Sequence, residues 1–248
     1  MVRGTTPSSG RRARLRAAAS VAALALGASL LAALPARAVE RPKGHDVSSH
    51  QRNVDWPKTK SAGAQFTYVK ATESTTYTNP YFAQQYGGAA DAGLLRGAYH
   101  FAIPSKSSGA AQAAFFVRNG GTWRGDGRTL PPALDIEYNP YGADKCYGMS
   151  ASKLVAWISA FSDELLRLTG RRPVLYTTYN WWKTCTGDSR VFAADHALWL
   201  AHFGAGAGAL PGGWSYWTFW QYADSGGLPG DQDLFNGSAA QLKSFARG

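Results

Sequence analysis

The chain has 248 residues, 45% of them hydrophobic and 17% charged. That length suits one large domain or two small ones, and the composition excludes a disordered chain. Two cysteines are too few for a disulfide-only scaffold, and the formal charge of +10 is concentrated at one end.

Residues 1–38 read as a secretory signal peptide. Arg11, Arg12, Arg14 and Arg16 form a basic leader, residues 17–34 an apolar run, and Ala36-Arg37-Ala38 a small-x-small cleavage site. A transmembrane anchor is the competing reading; the alanine content, the marginal length and the cleavage pattern weigh against it. The export route, general or twin-arginine, stays open. Six arginines and no acid precede Val39, so the formal charge of the remainder falls from +10 to +4. A mildly basic protein fits an anionic polymer such as a cell wall. No Lys/Arg-rich run remains to suggest nucleic acid, and no later segment is apolar enough to span a membrane.

Residues 39–248 are expected to form one catalytic barrel domain. Strand-like and helix-like stretches alternate: 44–48 then 56–62, 66–70 then 80–92, and 96–101 then 110–118. Strand 132–137 precedes the clearest helix, in which Leu154, Ile158, Phe161, Leu165 and Leu168 fall on one face. Ser150 is placed to cap its start and Gly170 to end it. Strand 172–177 follows. Segments 197–203, 216–222 and 231–235 are strand-like, with no room for full helices between them. About five strand–helix units and three bare strands predict an α/β fold, a modified TIM-type (β/α)5(β)3 barrel. Its site is expected at the C-terminal strand ends.

The sharpest chemical signal is Leu134-Asp135-Ile136-Glu137. Residues i and i+2 of a strand share a face, which puts these two alpha carbons about 6.6 Å apart. Two close carboxylates cannot both ionise freely, so one becomes a proton donor and the other an anion, the pair that glycoside hydrolysis requires. An exposed strand with alternating acids is the bland alternative, but the apolar neighbours argue for burial, which is costly for idle acids. Asp46 ends the first strand and Asp233 lies in the last, so a closed barrel brings them to the same mouth. Taken singly, a turn or cap role is as good for each. Tyr99, Tyr176, Trp199, Trp217, Trp220 and Tyr222 cluster near strand ends, where rings stack on sugars or simply pack the core. Lys70 and Gln221 are polar groups in apolar strands. Cys146 and Cys185, an isolated pair in an exported chain, read as one disulfide, with two free thiols as the alternative. The five histidines lack metal-ligand spacing, Gly148-Met149-Ser150-Ala151-Ser152 is no nucleophile elbow, and the glycine run 204–208 feeds no phosphate-binding helix. Neither a metal nor a cofactor is expected.

Seven blocks resemble family 25 glycoside hydrolases, the N-acetylmuramidase lysozymes, in family order. They are 44–51, Tyr68-Val69-Lys70-Ala71-Thr72-Glu73, 97–101, 134–137, 173–177, Leu198-Trp199-Leu200-Ala201-His202, and Trp220-Gln221-Tyr222 followed by Asp231-Gln232-Asp233. The resemblance implies cleavage of the β-1,4 bond between N-acetylmuramic acid and N-acetylglucosamine in peptidoglycan. It implies Glu137 as proton donor, Asp135 as its partner, and Asp46 and Asp233 as further cleft acids. Lys70, Tyr99, Tyr176, Trp199 and Gln221 are implied to line the cleft. Similarity to other Asp-x-Glu hexosaminidases favours a retaining reaction assisted by the substrate's acetamido group; direct stabilisation by Asp135 is the other possibility. A chitinase-like β-hexosaminidase and a non-catalytic wall-binding protein remain as competing readings. A monomer acting outside the cell is expected.

Overall fold

A computed structural model describes residues 40–248; the expected signal peptide lies outside the described residues. Strand β1 (Lys43–Val47) leads through a single 3-10 turn to helix α1 (Trp56–Ser61). Then come β2 (Phe66–Glu73), the two-residue β3 (Tyr77–Thr78) and α2 (Phe82–Asp91). Next are β4 (Leu95–Phe101), α3 (Gly109–Arg118), β5 (Ala133–Asp135) and α4 (Ala151–Thr169). The chain continues with β6 (Val174–Thr178), α5 (Tyr179–Thr186), β7 (Leu198–Ala201), β8 (Phe219–Ala223), β9 (Asp231–Phe235) and α6 (Ala239–Arg247).

Eight strands close a barrel in the order β1-β9-β8-β7-β6-β5-β4-β2, with β1 pairing β2; β3 is an outlying hairpin on β2. Five strand–helix units and three bare strands are present, as the alternation predicts. Two features differ from the sequence expectation. Strand β9 runs antiparallel to both β8 and β1. A sixth helix, α6, follows the last strand, started by a capping box of Ser238 and Gln241.

Strand alternation sorts the side chains into two layers. Leu134, Ile136, Leu175, Leu198 and Leu200 face outward into a core shared with Phe116 of α3 and Leu154, Ile158, Phe161 and Leu165 of α4. Phe66, Tyr68, Tyr99, Tyr176, Trp199, Phe219 and Phe235 fill the barrel. Tyr68 stacks on Trp199 at 4.7 Å. Glycine at 44 and 97 is what admits these rings, since a Cβ there would run into Phe66 and Tyr68. Gly170 ends α4 in the left-handed conformation (φ 76°). Two details of the α4 expectation are corrected. Leu168 is exposed, because it falls at the frayed edge of the apolar stripe, and the Ser150 hydroxyl bonds Ser152 rather than a helix N–H.

Candidate active site

The seven parallel strands end at one mouth, and β9, being antiparallel, brings its first residue there. A cleft of about 220 Å³ opens at that mouth. Asp46 from β1, Lys70 from β2, Tyr99 from β4 and Asp135 from β5 line it, with Glu137 two residues beyond β5. Tyr176 from β6, Trp199 from β7 and Gln221 from β8 complete the inner wall. Eight residues singled out in the sequence are thus brought to one place from seven strands and the loop after β5.

A polar network fixes the wall between β1, β6 and β8. Tyr176 donates its hydroxyl to Gln221 Oε1 at 2.9 Å. Gln221 Nε2 in turn donates to Asp46 Oδ2 at 2.8 Å and Asp231 Oδ2 at 3.1 Å. On the other side Lys70 Nζ pairs with Glu73 at 2.6 Å and lies 4.7 Å from the centre of the Phe101 ring. A bulge in β2 between Lys70 and Thr72 lets both residues of this pair stand at the mouth. Between the two walls sit Asp135 and Glu137. Neither carboxyl accepts a hydrogen bond among the described residues, and Asp135 Oδ1 is buried without any partner.

The family profile described as Glycosyl hydrolases family 25 matches residues 45–231. The chain belongs to glycosyl hydrolase family 25. It is 49% identical over 209 residues to Lysozyme M1 of Streptomyces globisporus, an alignment spanning 82% of this chain and 71% of that protein. It is 47% identical over 213 residues to an N,O-diacetylmuramidase of a Chalaropsis species, covering 83% and 99% respectively. Among solved structures, a muramidase from Acremonium alcalophilum superposes with a TM-score of 0.82 at 50% identity, covering 84% of this chain and all of that one. This family 25 member is a glycoside hydrolase of the lysozyme type.

The electrostatics of the cleft are those of crowded, partly dehydrated acids. Burial raises Glu137 from 4.5 to about 7, with Asp231 adding repulsion and Lys70 opposing. Asp46 rises from 3.8 to about 7 through burial and Asp231, against the hydrogen bond from Gln221. Asp135 is held well above the usual carboxylate range by burial and then by Glu137. Close acids that resist joint ionisation hold protons as a group. Among the described residues no cluster of three His, Cys, Asp or Glu is arranged to hold a metal ion.

Asp233 is the one expected cleft residue that the geometry places elsewhere. It is fully buried one layer below the mouth, where Oδ1 accepts from Trp199 Nε1 at 2.8 Å. Asp231, two residues earlier on the same face, occupies the cleft instead. Because β9 runs antiparallel, its earlier residue is the one nearer the mouth. Ser48, His50 and Gln51 also line the cleft from the turn after β1. They lay within a block carrying the family resemblance, but no chemical argument singled them out. Cys146 and Cys185 form a disulfide that ties the segment after Glu137 to α5. Trp217, Trp220 and Tyr222 pack against one another away from the cleft lining.

Proposed function

We propose that this hydrolase is exported and cleaves the β-1,4 bond between N-acetylmuramic acid and N-acetylglucosamine in bacterial peptidoglycan. Glu137 is the general acid and base, and Asp135 serves the substrate's own 2-acetamido group. The names lysozyme and N,O-diacetylmuramidase carried by relatives at 49% and 47% identity support the substrate class. The charge pattern of residues 1–38 supports export, and no helix among the described residues is long and apolar enough to cross a membrane.

The observation that carries the mechanism is the unpartnered carboxyl of Asp135. A buried acid with no donor keeps its proton. A substrate acetamido N–H supplies the missing donor and favours the anion, which leaves the pair's proton on Glu137. Glu137 then protonates the glycosidic oxygen as the acetamido carbonyl oxygen attacks the anomeric carbon and the C–O bond breaks. Asp135 stabilises the positive charge developing on the nitrogen. The resulting Glu137 carboxylate takes a proton from water, whose oxygen opens the cyclic intermediate at the anomeric carbon. Two inversions at that carbon give net retention. Tyr176 and Trp199 form the buried floor of the cleft beneath the sugar.

Glu137→Gln is expected to abolish lysis of bacterial walls while wall binding persists; full activity in that variant would overturn the assignment of the acid. Proton NMR of the first-formed product separates the stereochemical outcomes, and an inverted anomer rules out substrate assistance. Faster turnover of soluble chitin oligomers than of peptidoglycan would replace the substrate assignment with the chitinase-like one.

A further inference from the structure

At the opposite end of the barrel lies a second and larger concavity, of about 570 Å³. Its walls are the C-terminal turn of α4, the segments leading into β6, β7 and β8, the end of β9, and α6. None of the cleft residues reaches it. The two share strands but no residue: on β6 Val174 lines the basal pocket and Tyr176 the cleft, and on β9 Phe235 lines the pocket and Asp231 the cleft.

Most charge in this basal pocket is already neutralised. Arg172 pairs with Asp163 and Asp195, each at 2.9 Å. His196 bridges Asp195 at 2.6 Å and Ser162 at 2.7 Å. The order Ser162-His196-Asp195 has the outline of a hydrolytic triad, but Ser162 is fully buried and also accepts from Arg172, so it presents no nucleophile. The network instead fixes one wall. Arg171 on the adjoining wall is different. Its guanidinium lies 5.4 Å from the Trp123 ring and 5.6 Å from the Phe245 ring. Among the described residues it has no acid within ion-pair distance and donates no side-chain hydrogen bond. Gln241 spends its Oε1 on the Ser238 N–H, which leaves its amide N–H groups for a ligand. Tyr216 stands at the lip, 64% exposed.

We propose that this pocket is a second, non-hydrolytic binding site for a short peptide ending in a free carboxylate. Arg171 takes the carboxylate with its planar fork, Gln241 donates a further hydrogen bond, and the Tyr216 ring covers the apolar part of the ligand. Aromatic faces on the guanidinium restrict its motion, so little order is lost on binding. The volume falls within the roughly 300–1,000 Å³ of ordinary ligand pockets. Resting on the wall-hydrolase reading, the source of that peptide is the stem peptide of peptidoglycan. Attachment at the base then holds the enzyme on the polymer while the cleft cuts, by raising its effective concentration.

The test uses the full chain and three probes: an N-acetylated tripeptide with a free C-terminal carboxylate, its C-terminal amide, and inorganic phosphate. Binding is followed by the tryptophan indole N–H signals in NMR. The acid is expected to saturate a shift that the amide produces about ten-fold more weakly, and Arg171→Met is expected to lose it. Arg171→Met should also release the enzyme from intact walls while hydrolysing peptide-free glycan oligomers at the wild-type rate. Equal binding of acid and amide, phosphate binding as tight as the acid, or an unchanged Arg171→Met variant overturns the proposal. If that variant melts early, Tyr216→Ala at the exposed lip serves instead, with weakened acid binding expected and unchanged binding refuting the site. Failure of the wild type to cut walls is a separate result, bearing on the proposed function and not on peptide binding.

Discussion

Glu137 is protonated more readily in the folded protein than in the unfolded chain, and that has a cost at neutral pH. Its ordinary pKa of 4.5 becomes about 7 on folding. Between those values the native state holds more protons than the unfolded one, so stability is lost as pH rises through the window. Asp46, moving from 3.8 to about 7, and Asp231, moving from 3.8 to about 6, act in the same direction. Buried His45 and His100 act oppositely: each falls from 6.5 to about 4, so stability is lost as pH drops through that range. Glu137→Gln keeps the shape and removes the ionisation. Thermal melts are expected to show the variant several degrees above wild type at pH 8 and level with it at pH 4. Equal differences at the two pH values would refute the raised pKa. The same proton sets activity: kcat/KM of the wild type should decline above about pH 7, as the free enzyme loses it. Asp135 and Glu137 were legible in the sequence because two acids at i and i+2 stand among Pro132, Ala133, Leu134 and Ile136, whose apolar character favours a buried strand end over an exposed strand of alternating acids. Asp231 was not, because Asp231 and Asp233 share a face and only the direction of the strand decides which reaches the mouth.

The segment following Glu137 has no regular structure up to α4, yet it is braced along its length. Asn139 Nδ2 donates to Asp144 O at 3.1 Å, Tyr141 N donates to Asn139 Oδ1 at 3.0 Å, and Trp181 Nε1 of α5 donates to Lys145 O at 3.0 Å. The Tyr141 hydroxyl donates to Glu73, the partner of Lys70 in the cleft wall. The Cys146–Cys185 disulfide, 39 residues apart in sequence, anchors the same segment. Closing a loop of that length limits the unfolded chain by about 4 kcal/mol in the chain-entropy description. Replacing both cysteines by serine is therefore expected to lower the unfolding free energy by about that amount in urea titrations, and to raise KM more than it lowers kcat. A variant as stable as wild type, with unchanged KM, would show that the braces suffice without the crosslink. Element by element, the long helix was the easiest to read: four of its five apolar positions are fully buried. Helix α6 was missed although Ser238 and Gln241 carry a capping signal, because only Leu242, Phe245 and Ala246 mark its apolar side. Strand β5 proved shorter than its apolar run, since Ile136 already turns out of the ladder after bonding Tyr176 O.

Closure of the barrel follows from counting: five strand–helix units leave an open sheet, and three further strands bring the last beside the first. The count does not say how the base is sealed, because the barrel interior at that end depends on a segment outside the alternation. Helix α6 performs this role. Leu242 and Ala246 are buried, and the Phe245 ring lies 5.7 Å from Phe219 and 6.2 Å from Phe235 at the floor of the barrel. Cleft and base share the aromatic layer that fills the barrel, the Trp199 ring lying 6.4 Å from Phe219 and Phe219 5.7 Å from Phe245. Asp46 and Asp231 are nevertheless held at the mouth by Gln221, so damage at the base should reach stability before chemistry. Leu242→Ala removes a side chain that is 1% exposed and leaves a cavity that neighbouring rings cannot fill by small shifts. The expected cost is about 2–5 kcal/mol of unfolding free energy. Leu168→Ala, at a leucine that is 38% exposed on α4, makes the same chemical change and is expected to cost about 0.5 kcal/mol or less. Urea titrations of both variants give the comparison, and kcat on peptide-free oligomers, measured well below the melting temperature, should match wild type in each. If Leu242→Ala unfolds with the wild-type midpoint, α6 is an ornament on a barrel sealed by its own side chains. If it keeps its fold but loses kcat, the base and the cleft are coupled through the aromatic layer more tightly than the hydrogen bonds around Gln221 provide for.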